Sequence, residues 1–420
     1  MEVHSRSRFP TRSIFSAAVI VSALGYLVDI YDLLLFSIIR VPSLKSLGLT
    51  GPALLDTGIY LLNIQMVGML IGGIAWGVLG DKKGRLSVLF GSIILYSIAN
   101  IANGFVQTVE QYAVLRFIAG IGLAGELGAG VTLVSELLPK EHRGYGTALI
   151  TAVGMAGALL AWAIAQVYGW QTCFFIGGGL GFLLLTLRVG VLESGMFHKM
   201  SVLNVKRGQI LSLFTNRKRF GKYVRCILIA LPTWYLIGIL MTFAPEFAKA
   251  LGVKGTITGG EAVFWCYLGQ AVGGMTSGIT SQFMRSRKKV IGMFIVALSL
   301  FVSAFFLQGS STPSTFYAIC GLLGIANGYW ALFITVAAEQ FGTNLRATVA
   351  TTVPNFVRAS LVPIALSFQS LKGYLSVSYG PDNGIIYAGI IIGAVAIMIA
   401  LASLRGLDET FGKDLDYLET

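Results

Sequence analysis

Twelve apolar runs, each about long enough to cross a bilayer, constrain this chain more than any motif does. They can be drawn at roughly 14–38, 56–79, 86–106, 110–137, 144–167, 170–190, 222–247, 258–283, 288–308, 313–340, 346–371 and 383–405. About 20 apolar residues cross the hydrocarbon core as a helix. The expected fold is therefore an all-α membrane protein with twelve transmembrane helices. Composition agrees: the chain is 55% hydrophobic and 12% charged, where soluble domains average about 25% charged.

The net charge of +12 would suggest nucleic acid in a soluble protein. Its distribution argues otherwise, and no nucleic-acid partner is expected. Of the 31 Lys and Arg, five (Arg40, Lys45, Lys249, Lys254 and Lys372) fall in loops on one side. Two, Arg116 and Arg358, lie within spans, and the rest crowd the other side. That asymmetry is the positive-inside pattern, and it places both termini in the cytoplasm of a multi-pass inner-membrane protein. The first run continues into Asp29 and Asp32 without a small-residue cleavage site, so it reads as a span and not a cleaved signal. The four cysteines have no metal or redox spacing, and neither a metal nor a cofactor is expected.

One long polar interruption divides the runs six and six. The expected organisation is an N-terminal bundle over 1–190, a basic cytoplasmic linker over 191–221 and a C-terminal bundle over 222–420. The halves repeat weakly: Glu136 to Arg143 matches Glu339 to Arg346, and the loop Asp81 to Arg85 falls on the basic loop around Arg285. A parallel duplication of six-helix units suits a carrier that rocks around a central site.

The stretch RFIAGIGLAGELG, from Arg116 to Gly128, carries the Gly-x-Gly-x-x-Gly spacing of a dinucleotide turn. Such a turn needs a preceding strand and a βαβ unit, and here the glycines sit inside an apolar run. They read as close-packing positions of a membrane helix.

The loop Gly77-Val-Leu-Gly-Asp81-Lys-Lys-Gly84-Arg85 resembles the signature of the major facilitator superfamily, and with twelve runs and a half-chain repeat the resemblance covers the whole chain. Asp29-Ile-Tyr-Asp32, Arg116 to Glu126, Glu136 to Arg143 and the tail Asp408 to Lys413 are similar to the metabolite:proton symporters and their aromatic-acid relatives. The box after the sixth run, Leu192 to Met196, departs from the sugar-porter pattern. The resemblance implies alternating access, with Gly77, Asp81, Gly84 and Arg85 latching the cytoplasmic side. Lys82, Lys83 and Arg85 also read simply as topology determinants. Glu136 with Arg143 and Glu339 with Arg346 read as cytoplasmic gate charges.

Ionisable groups at membrane depth point to function. Asp32 and Arg116 lie at similar depth on spans that line the central cavity in this family. An ion pair between them is expected, either coupling proton to substrate or serving as a structural pair near the mouth. Asp29 stands three residues from Asp32 on the same face and is a second coupling candidate. Glu126 has no partner on its own helix, so it reads as a proton carrier or a neutral hydrogen-bonding group. Arg358, between Pro354 and Pro363, offers a planar fork for a carboxylate; it reads as a substrate anchor, or as the partner of an acid from the other half. Trp234, Tyr235, Asn327, Tyr329 and Trp330 read as pocket walls or as packing aromatics. Gln65, Gln166 and Gln270 are candidate hydrogen-bonding groups for the substrate.

The function expected is secondary transport without an enzymatic step, by proton-coupled symport of a small organic anion through one chain acting as a monomer. Three alternatives stand beside it: a proton-driven exporter of organic cations, a uniporter of a neutral metabolite, and a non-transporting sensor.

Overall fold

The structure, a computed structural model, describes residues 17–83, 85–126, 143–193 and 216–412. At 17–18, 78, 80–83, 85–87, 143–149, 190–193, 343–344, 347 and 351 only the backbone is described. The described residues form twelve helical spans and no strand. The first six are Ala17–Ser46, Gly51–Lys83, Arg85–Asn103, Val109–Leu123, Arg143–Val167 and Trp170–Glu193. The seventh is built from Arg217–Leu228, Leu231–Tyr235 and the π-helical Leu236–Met241, followed by Ala244–Ala250. The eighth and ninth are Gly259–Phe283 and Arg287–Leu307, the tenth Pro313–Asn327 with Tyr329–Glu339, the eleventh Thr343–Ala359 with Leu361–Tyr379, and the twelfth Pro381–Arg405.

Most boundaries fall within a few residues of the apolar runs. The first span is longer, running to Ser46 with Pro42 inside it, so Arg40 and Lys45 lie on the helix and not in a loop. The sixth continues to Glu193 and the seventh begins at Arg217, so 194–215 of the expected linker lie outside the described residues.

The interruptions follow from the sequence. Pro232 has no N–H to give, and the seventh span restarts at Leu231 with that proline in its first turn. Ten residues on, Thr242 bonds back to the carbonyl of Ile237, five residues before it, through both its N–H and its hydroxyl, which sets the π register. The tenth span breaks at Gly328, whose backbone backs onto Gly273 of the eighth. The eleventh changes segment at Ser360, between Pro354 and Pro363.

Packing explains the glycine-rich fourth span. A side chain at Gly120 would run into the Gln65 carbonyl on the second span, and one at Gly324 into the Cys266 carbonyl on the eighth. Backbone contact of this kind is how helices associate where apolar burial supplies no drive. Gly120 and Gly122 belong to a helix and Gly125 to the turn that ends it, with no strand before them, so the dinucleotide spacing is coincidental. The four cysteines are buried and free.

Candidate functional site

A small cavity lies where the first, fifth, seventh, eighth, tenth and eleventh spans converge. Its polar lining comes from Arg358, Gln270, Thr233 and the aromatic residues Tyr26, Tyr267, Trp234 and Trp330; Ile30, Leu33, Met155 and Ile237 complete the wall. The break at Pro232 and the π segment that follows turn Thr233, Trp234 and Ile237 towards this space.

Arg358 is 1% exposed and Asp29 is fully buried. Arg358 Nη2 donates to Asp29 Oδ2 at 3.2 Å, joining the first span to the eleventh. Among the described residues, Arg358 Nε and Nη1 and Asp29 Oδ1 have no hydrogen-bond partner. A buried guanidinium has five donors to satisfy, and here one carboxylate oxygen meets one of them.

Two charge assignments change. Arg116 does not pair with Asp32: its Nη2 donates to Gln65 Oε1 on the second span, and its guanidinium lies over the rings of Phe36 and Phe174, 5.2 and 5.7 Å from their centroids. The planar cation stacks on aromatic faces, and the pair of helices pressed together at Gly120 brings Gln65 within reach. Asp32 is fully buried beside Gly177 of the sixth span, and neither of its oxygens has a hydrogen-bond partner among the described residues. Glu126, expected to be unpaired, meets Arg188 of the sixth span: Nη1 donates to Oε2 at 3.0 Å and Nη2 donates to Oε1. The pair rests against Gly25, where a side chain would collide with both groups.

Trp234, Trp330 and Gln270 line the cavity as expected of pocket residues, but their neighbours do not. The Tyr235 hydroxyl donates to the Gly389 carbonyl on the twelfth span. Tyr329 donates to the Ile229 carbonyl and accepts from the Thr233 hydroxyl, tying the tenth span to the seventh. Consecutive helical residues point about 100° apart, which lets Trp234 and Trp330 line the cavity while Tyr235 and Tyr329 turn to neighbouring spans. Asn327 is buried behind the tenth-span break, away from the cavity lining. Gln166 is exposed near the end of the fifth span.

At the end of the bundle opposite Ala17 and Arg405, the distal end, the first and last six spans are tied together. Arg40 donates to Glu246 at 2.7 Å and to the Thr242 carbonyl at 3.2 Å, 4.6 Å above the Phe243 ring. Thr242 also donates to Ser37 at 2.9 Å, and Lys372 meets Asp56 at 2.8 Å.

At the proximal end, Glu339 takes Arg287 at 2.8 Å and the Thr410 hydroxyl at 2.7 Å; half-buried Arg346 adds its charge to the same site. Glu409, from the tail, accepts from the Ser286 hydroxyl and from the N–H groups of Arg287 and Lys288, capping the ninth span. It supplies the acid that the second-half loop lacks in sequence. Of the first-half gate, Gly77 and Asp81 lie near the end of the second helix and Arg85 and Arg143 begin the third and fifth. Gly84 and Glu136 lie outside the described residues, and so do the side chains of Asp81, Arg85 and Arg143.

Arg40, Glu246, Arg188, Tyr26 and Tyr267 were not picked out in sequence. Arg188 looked like a topology charge at a helix end, and Arg40 like a loop residue. Only spatial proximity reveals their partners.

The chain matches the family described as Major Facilitator Superfamily over residues 13–360. It is similar to a putative niacin/nicotinamide transporter of Bacillus subtilis, 26% identical over 349 residues, covering 80% of this chain and 84% of that one. A benzoate transport protein of Acinetobacter baylyi is 31% identical over 185 residues, 42% of this chain and 39% of that one. Among solved structures, a D-xylose-proton symporter superposes with a TM-score of 0.68 at 18% identity, covering 95% of this chain and 99% of the other.

Proposed function

The chain belongs to the Major Facilitator Superfamily and is an integral membrane transporter, and we propose that it moves a small organic anion together with protons by alternating access. Arg358 carries this reading. It is a buried cation at the cavity wall with Nε and Nη1 unpartnered; each of these shares an edge of the guanidinium with Nη2, so a carboxylate that displaces Asp29 from Nη2 can make two parallel bonds. Tyr26, Tyr267, Trp234 and Trp330 supply flat walls suited to stacking on a ring. The niacin and benzoate relatives make aromatic and heteroaromatic monocarboxylates the first substrates to try.

Charge balance gives the coupling. With Asp29 ionised, Arg358 is neutralised; an incoming carboxylate would leave two anions against one buried cation. An unbalanced charge in a low-dielectric site is costly, so Asp29 takes a proton as the substrate displaces it from Arg358. Protons and anions then move in equal numbers. Release reverses the exchange, and the restored Asp29–Arg358 pair draws the first and eleventh spans together again. The proximal end, with the basic loops, is assigned to the cytoplasm, and the distal seal to the opposite face of the inner membrane.

Uptake of radiolabelled nicotinate and benzoate into proteoliposomes tests the anchor. Arg358→Ala abolishes uptake of the anion that the wild-type protein carries, and Arg358→Lys weakens it by about tenfold because the fork is lost. Uptake by Arg358→Ala at the wild-type rate overturns the assignment.

A further inference from the structure

The first six spans hold a second group of buried polar side chains, set apart from the cavity and strung along one face of the sixth helix. Gly177 lies against Asp32, Gly181 against the Ser97 hydroxyl with the Tyr96 ring 3.0 Å from where its side chain would start, and Arg188 closes on Glu126. From Gly177 to Arg188 the helix rises about 16 Å, so the group forms a seam and not a point. Along it, both Asp32 oxygens, the Tyr96 and Ser97 hydroxyls and both amide atoms of Asn100 are buried without hydrogen-bond partners among the described residues. Buried polar atoms are seldom left so, least of all a carboxylate at membrane depth.

Tyr96 occupies the middle. Four charged groups act on its hydroxyl: Glu126 just beyond the fourth span, Asp32 and Asp29 from the first, and Arg188 from the sixth. Asp32 is faced in turn by Arg116 and Asp29, and the Asn100 amide lies beside it, close enough to bond it after a small adjustment. The hydroxyl makes no hydrogen bond that would explain its burial, and along the sixth helix Tyr96 falls between Asp32, at Gly177, and Glu126, at Arg188.

We propose that this seam is a proton route separate from the substrate path, in which the Tyr96 hydroxyl relays protons between Asp32, towards the distal end, and Glu126, towards the proximal end. The proposal rests on the proton-coupled reading above; Asp29, which acts electrostatically on Asp32 and is acted on by Glu126, exchanges its proton with this route. In each relay step the Tyr96 oxygen accepts a proton from protonated Asp32 as its own O–H bond breaks and that proton passes to the Glu126 carboxylate. Tyr96 is neutral before and after; Asp32 is left as a carboxylate facing Arg116, and Glu126 becomes neutral and loosens from Arg188. Ser97 extends the path by the same exchange, and water bridges any gap too wide for direct contact.

Tyr96→Phe removes only the hydroxyl and keeps the ring that packs on Gly181. Two fluxes of radiolabelled benzoate or nicotinate, whichever the wild-type protein carries, are compared in proteoliposomes. One is net uptake driven by a pH gradient; the other is exchange at equal pH, which needs no net proton movement. The expected result is net uptake lowered about tenfold or more, with its pH profile displaced, while exchange persists. Net uptake equal to the wild type overturns the relay. Equal loss of both fluxes also overturns it, since a structural role alone gives that result. If the wild-type protein carries the anion without protons, it is the symport reading that fails, and that outcome is read from the wild type alone.

Discussion

Arg40 and Glu246 meet at 2.7 Å across the distal end, 206 residues apart in sequence, one on the first span and the other just beyond the π segment of the seventh. Arg40 is almost wholly buried while Glu246 remains partly exposed. The arginine is therefore held by a carboxylate that solvent can reach, which suits a contact that must break and re-form.

Removing the acid should open this end. Glu246→Gln leaves Arg40 buried with a neutral partner, at a cost of several kcal/mol to the closed state. A cysteine at Ser37, which accepts from Thr242 in the same seal, should then react several-fold faster with a membrane-impermeant maleimide, in a chain whose four native cysteines are replaced. Unchanged labelling would show that the pair does not hold the end shut.

The Glu126–Arg188 pair should matter to stability in its own right. Arg188→Leu leaves a buried carboxylate without its partner and should lower stability by about 3–5 kcal/mol. The double variant with Glu126→Gln should recover most of that loss, because the two changes share one interaction. Thermal unfolding in detergent measures both, and additive losses would contradict a coupled pair.

The spans were legible because a bilayer-crossing helix must announce itself in a run of apolar residues. The interruptions were half legible: Pro232, Pro354 and Pro363 marked where helices change direction, while the π register depends on the bonding of Thr242 to Ile237. Buried charges were visible as anomalies, but their partners were not. Arg358 and Asp29 lie 329 residues apart, and nothing local distinguishes that pairing from Asp32 with Arg116. Arg116 was misassigned because matching depth does not establish contact; a neighbouring glutamine reached it first. Adjacent aromatics such as Trp234 and Tyr235 were grouped by sequence, although helical geometry sends them to different neighbours.

The tail residue Glu409 gives a pH-dependent prediction. Burial pushes its carboxyl up, but hydrogen bonds from the Ser286 hydroxyl and from the N–H groups of Phe411, Arg287 and Lys288 outweigh this and hold its pKa below the ordinary value. A group whose pKa falls on folding stabilises in full above its unfolded pKa, about 4.3 for glutamate, and loses that contribution as pH falls through the lower folded value. Glu409→Gln should therefore lower the melting temperature at pH 7, and the difference from wild type should shrink under acid. A constant difference across pH would show that the charge of Glu409 is not what caps the ninth span.

The central claim is that Asp29 takes up a proton when an anion displaces it from Arg358. Proteoliposomes enclosing a pH-sensitive dye, challenged with nicotinate and benzoate, test this most directly when proton entry and labelled-anion entry are recorded together. The account predicts lumenal acidification in equal numbers with the anion in the wild-type protein, no proton movement with Asp29→Asn, and neither flux with Arg358→Ala. Proton entry that survives Asp29→Asn at the wild-type ratio would contradict it.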